Sequence, residues 1–209
     1  MKFRRKSASP TDAAAEEVES AQAPGLTDGP FDIDDAPALP EGGQRVDLGS
    51  LLITPAQGIE LRIQVDDSTG EVQAVILAGP DGALELRAFA APRGGDLWSE
   101  VRPQIAADMA QRGGTATEAE GRFGTELECQ VTRQLPDGTT GAQASRIVGV
   151  NGPRWLLRAT FIGAPAQGGD AVEGWENLLG AVVVSRGTGA MPVGEALPVI
   201  LPDGARPVS

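Results

Sequence analysis

A chain of 209 residues, 41% of them apolar, has room for one domain with a proper core, plus tails. Its 17 basic residues face 29 acidic ones, and a net charge of −12 does not draw in a phosphate backbone, which disfavours nucleic-acid binding through the whole surface. Histidine and tyrosine are absent, both lysines (Lys2, Lys6) lie near the N-terminus and Cys129 is the single cysteine, so His-based nucleophile and zinc systems and an intramolecular disulfide are excluded, and Schiff-base chemistry loses its usual residues.

The chain starts with a small basic cluster, "MKFRRK", followed by "SASPTDAAAEEVESAQAP", which is polar and acidic where a signal peptide needs an apolar stretch. No apolar run approaches the roughly 20 residues of a membrane helix, and the chain reads as cytoplasmic. Residues 1–27 hold few large apolar side chains to offset chain entropy and are expected to be disordered. Residues 28–45, "DGPFDIDDAPALPEGGQR", form an extended lead-in to the domain, expected over 46–187.

From Arg45 short apolar runs alternate with turn signals. "RVDLGSLLI" and "IELRIQV" read as strands, "DDSTG" as a hairpin loop, and "EVQAVILAG" and "ALELRAFAA" as strands joined by the "PDG" turn at 80–82. A helix follows, capped by Asp96, with Trp98, Val101, Ile105 and Met109 on one stripe and Gly113–Gly114 as its stop; Pro103 either kinks it or opens a second helical piece. "TATEAEGRFG", "TELECQVTRQL", "GAQASRIVGV" and "RWLLRATFIG" make a second meander through turns at "PDG" (136–138) and "NGP" (151–153). "DAVEGWENLLGAVV" places Val172, Trp175, Leu178, Leu179 and Val182 on one helical stripe, and residues 188–209 form a proline-rich extended tail. Short turns demand antiparallel pairing and amphipathic helices must cover sheet. The expected fold is therefore α+β, a single antiparallel sheet of about six to eight strands covered by two helices, ordered β-meander, helix, β-meander, helix.

Few residues carry distinctive chemistry. The carboxylates of Asp28, Asp32, Asp34 and Asp35 lack the order and closing Glu of a calcium loop; they read first as turn formers, and otherwise as an ion site or a partner-docking peptide. Phe31 and Ile33 among them are expected to pack on the domain as a clasp, with the aspartates facing water. Arg146, Arg154 and Arg158 come from neighbouring strands and can form one outward row, serving either as a solvated face ion-paired with Glu126 and Glu128 or as an anion pocket. Cys129 alternates with Leu127 and Val131 and reads as a buried, inert thiol. "GGDLWSEV" lacks the glycine spacing of a phosphate loop. No catalytic, metal or cofactor-binding residues stand out.

The "FRRK" start, the "GPFD" lead-in, the run from "LRIQVDDSTGEV" through "PDGALELRAFAAPR", the "GRFGTELE" strand, "NGPRWLLRATFIG" and the closing "MPVGEALPVILP" together resemble an uncharacterised actinobacterial family, a domain of unknown function. That resemblance brings no activity and no catalytic residue with it. The element order is similar to the Mog1/PsbP-like sandwich, a frequent binding or adaptor scaffold. The leading expectation is a non-enzymatic binding or adaptor module with a protein partner met by Phe31, Asp32, Ile33, Asp34 and Asp35. The alternative is an enzyme or small-ligand-binding protein that uses Asp/Glu and Arg in a cleft beside the helices. An accessory role in nucleic-acid metabolism through "MKFRRK" is weaker still.

Overall fold

Turn chemistry sets the strand order. In the computed structural model, which describes residues 29–134 and 140–201, the amide of Gly79 donates to Gly82 O at 2.9 Å and folds the chain back over Pro80–Asp81. Asp66 builds the "DDSTG" loop, its Oδ1 accepting from the amides of Ser68 (2.9 Å) and Thr69 (3.1 Å). The head (1–27), Asp28, the "PDG" turn at 136–138 and residues 202–209 fall outside the described residues.

The elements run β1 (Phe31–Asp32), a 3-10 turn (Ile33–Asp35), β2 (Val46–Asp47), β3 (Leu51–Ile53), β4 (Glu60–Val65), β5 (Val72–Ala78) and β6 (Gly82–Ala90). After α1 (Leu97–Gln111) come β7 (Thr115–Gly121), β8 (Gly124–Gln134), β9 (Thr140–Asn151) and β10 (Trp155–Gly163), then α2 (Ala171–Gly180) and β11 (Val183–Val184). Seven strands form one antiparallel sheet in the order β4-β5-β6-β10-β9-β8-β7, so the two meanders meet where β10 pairs with β6. Helix α1 continues through Pro103 as a single element, leaving the Ser99 carbonyl without its usual helical donor.

The expectation of a single sheet requires correction. A second, four-stranded sheet, β1-β11-β3-β2, packs beside the first, and its β1–β11 pair is parallel. Its strands are two or three residues long, too short to show a periodic pattern. "RVDLGSLLI" is likewise not one strand but the tight hairpin β2–β3, in which Asp47 Oδ1 accepts from the Gly49 amide at 2.8 Å and Gly49 takes φ +79°.

One face of the large sheet, carrying Val75, Leu84, Leu86, Leu157, Ala159 and Phe161, packs against the small sheet and against Trp175 and Leu179 of α2. The opposite face, with Leu127, Cys129, Ile147 and Leu156, packs against Leu97 and Trp98 of α1. Full burial of large apolar side chains such as Trp155 and Phe161 stabilises the fold by roughly 1.5–3 kcal/mol each. The chain from 194 to 200 runs along both sheets. Leu197 N donates to Ala88 O of β6 and Ile200 N to Leu48 O beside β3, each at 2.8 Å.

Candidate functional site

Helix α1 is held at its start by side chains rather than by apolar packing alone. Asp96 Oδ1 accepts from the Ser99 amide at 3.1 Å and from Asn151 Nδ2 at 2.7 Å, while Asn151 Oδ1 accepts from Trp98 N at 3.1 Å. The Ser99 hydroxyl also donates to Asp96 Oδ2, and that bond first, with the Ser99 amide and Asn151 bonds after it, holds the Asp96 carboxyl below its usual range against its partial burial. The Trp98 indole donates to Thr125 O at 2.6 Å and lies flat over Gly149, where a Cβ would come within 2.1 Å of the ring. The first turn of α1 is thereby pinned to the ends of β8 and β9.

From that anchor α1 lies over β7, β8 and β9, whereas β4 on the same face carries Glu60, Arg62 and Gln64 exposed. Between the helix and the sheet, at the border of the open part, runs a cleft of about 180 Å³. Its body is apolar, formed by Leu97, Val101 and Ile105 of α1 with Phe89 and Leu156 of the sheet. Its polar groups are few: Gln104 and Asp108 on the helix side and Arg158 on the sheet side.

Arg158 has an unusual neighbour. The β6–β10 register sets it directly opposite Arg87, and both guanidinium carbons stand 5.6 Å from the centroid of the Phe89 ring. One carboxylate, Glu85, approaches Arg158 Nη2, at 3.8 Å, beyond hydrogen-bond reach. The Nε of each arginine is buried with no acceptor. Burial first, and then the charge of Arg87, lowers the pKa of Arg158, against the opposing pull of Glu85. Arg158 thus lines the cleft as a cation with no carboxylate in hydrogen-bond reach, and a second cation, Arg87, faces it from β6.

A second charged cluster lies on the other face. Arg146 of β9 stands over the Phe161 ring at 4.5 Å, its Nη1 donating to Glu126 Oε1 at 3.3 Å and its Nη2 lying 2.9 Å from Glu176 Oε1 of α2. The latter is a charge contact off hydrogen-bond alignment. Glu126 is only 3% exposed, and its second oxygen has no partner. Burial pushes its carboxyl up; Arg146 opposes the shift, and Glu176 and Glu128 add to it. This cluster fastens α2 to the sheet.

A family model described as a protein of unknown function, DUF3710, matches residues 29–207. The chain belongs to the DUF3710 family. No curated protein matches it.

The DUF3710 fold distributes the residues singled out in the sequence over three places. Phe31 is half-buried at the start of the small sheet, and its amide donates to Val182 O at 2.9 Å. Ile33, expected to pack, is 42% exposed, because the 3-10 turn swings it outward with Asp34 and Asp35. Asp32, expected in water, instead accepts the Trp155 indole N–H at 2.6 Å. The arginine row does not form. Arg146 faces Phe161 in the β9–β10 register, three residues from Arg158, so the two point to opposite sides of the sheet, and Arg154 is exposed ahead of β10.

Sequence reasoning missed Arg87, Glu85, Asp108 and Glu176. A signal was available for Arg87: it alternates with Glu85 and Phe89 on one side of β6. That this side meets Arg158 depends on pairing across 71 positions, which only the register supplies. Among the described residues no helix is long and apolar enough to cross a membrane.

Proposed function

We propose that the domain is a non-enzymatic receptor for a small amphipathic anion, held in the α1 cleft with its apolar part among Leu97, Val101, Ile105 and Leu156 and its charge on Arg158, which Arg87 faces from the neighbouring strand. The observation that carries this reading is Arg158, which lines the cleft opposite Arg87, has Glu85 no nearer than 3.8 Å and, like Arg87, keeps its Nε donor unanswered. Buried donors without acceptors cost about 1–3 kcal/mol each, and an acceptor brought by a ligand recovers that cost. Binding is favoured over catalysis because the cleft wall is aliphatic and its polar groups are arginine, Gln104 and Asp108. The proposal places the module in the cytoplasm, in keeping with a single cysteine held as a buried free thiol.

Thermal unfolding with a panel of short-chain carboxylates, sulfonates and phosphate esters, each beside its neutral alcohol, tests the receptor. Anions should raise Tm, by mass action on the folded state, in the wild type and not in Arg158→Gln. Equal shifts from anions and alcohols, or no shift from any anion, would remove the reading.

A second reading rests on the exposed Ile33, flanked by the exposed carboxylates of Asp34 and Asp35. In this reading the lead-in turn supplies a protein contact, an apolar side chain ringed by acids. Co-purification from the native host with wild type and with Ile33→Glu separates the two proteins if the contact exists; identical partner sets would end this reading.

A further inference from the structure

Resting on the receptor reading, the geometry points to a narrower ligand class: we infer that the cleft takes a monocarboxylic acid with a compact aliphatic tail. Three observations converge on it.

The first is charge. Arg87 and Arg158 bring two positive charges, and Glu85 beside Arg158 offsets one of them. Asp108 borders the same cleft from the helix. A phosphate monoester, doubly charged near neutral pH, would set its second charge against these two carboxylates in a protein whose net charge is already −12. A single negative charge matches the one left uncompensated.

The second is shape. A guanidinium presents parallel N–H donors in a plane, and a carboxylate returns two oxygens in the same geometry. Arg158 lines the cleft with about a quarter of its side chain exposed, and no carboxylate among the described residues stands within hydrogen-bond reach of it. Both guanidinium carbons lie 5.6 Å from the Phe89 centroid, a cation–π contact that restrains the two side chains.

The third is size and lining. The cleft, at about 180 Å³, falls below the roughly 300–1,000 Å³ of pockets for drug-sized ligands. Its far wall is branched aliphatic, from Leu97, Val101, Ile105 and Leu156. A short alkyl chain fills such a space and needs no hydrogen-bond partner there, whereas a sugar or base would leave its own polar groups unpaired.

The test is isothermal titration of the full chain at neutral pH with hexanoate, 1-hexanol, 1-hexanesulfonate and hexyl phosphate, followed by methyl NMR shifts of Val101 and Ile105 to locate binding. Hexanoate should bind about tenfold or more tightly than each of the other three, move those methyl signals, and lose about tenfold in affinity in Arg158→Gln. If hexanesulfonate or hexyl phosphate binds as tightly as hexanoate at the same methyls, the carboxylate inference falls and the receptor reading stands. If hexanol matches hexanoate, or no probe moves the cleft methyls, both fall.

Discussion

The Trp155 indole donates to the Asp32 carboxylate at 2.6 Å, joining β10 to a residue 123 positions earlier in the chain. Trp155 is 1% exposed, so its N–H has no water to turn to when the acceptor is lost. Asp32→Ala should therefore cost about 1–3 kcal/mol, read as about 2–4 °C of Tm for each kcal/mol in a chain of this size. In a Trp155→Phe background the same substitution should cost clearly less. Equal costs in both backgrounds would show that Asp32 acts through the Asp34 amide it also accepts, not through the indole.

Removing the cleft arginine should not weaken the empty protein. Arg158 faces Arg87, and the fold lowers its pKa, so the folded state works against that charge. Arg158→Gln should leave Tm unchanged or raise it while reducing hexanoate affinity, the pattern of a group kept for binding at the expense of stability. A marked fall in Tm would make Arg158 a structural residue.

Glu126 predicts a pH effect of definite sign. Its folded carboxyl titrates above the ordinary value of 4.5, because burial penalises the charge. The folded state then holds the proton more tightly than the unfolded state, and stability falls as pH rises from 4.5 through the raised value. Glu126→Gln removes this loss. The Tm of the variant minus that of the wild type should be flat below that window, climb across it and level off above. Groups shifted the other way, Asp96 among them, are common to both proteins and cancel in the difference. A difference that falls with rising pH would contradict the sign.

Gly149→Ala tests how α1 is seated. The new Cβ would meet the Trp98 ring at 2.1 Å, against an indole fixed by its bond to Thr125 O. Overpacking of this kind costs typically about 1–3 kcal/mol, and lifting Trp98 should open the cleft wall with it. Reduced Tm and lost hexanoate binding together are the expected result. Normal binding in a destabilised variant would separate the seat of the helix from the cleft.

Local pattern made much of the fold legible. The alternation of Leu127, Cys129 and Val131 marks β8, and the stripe of Trp98, Val101, Ile105 and Met109 marks the buried side of α1. The small sheet was hidden because its strands are shorter than one period of any pattern, and pairs such as Phe31 with Val183 join residues far apart in sequence. The site was hidden for a related reason. Which face Arg146 and Arg158 occupy turns on a register in which one step reverses every side chain. Arg87 joins Arg158 only through the pairing of two separate meanders.

The extended run from 194 to 200 also bears on how the protein is made. Its hydrogen bonds to Ala88 and Leu48 seam the two sheets together, and Ile200 covers Gly49. A chain emerging from the ribosome can form the hairpins β4–β5 and β7–β8 early, since their partners are close in sequence. The seam cannot close until residue 200 is free of the exit tunnel. Nascent chains shorter than that should populate a partly built domain with the rims of both sheets bare, the form most open to chaperones and to misassembly.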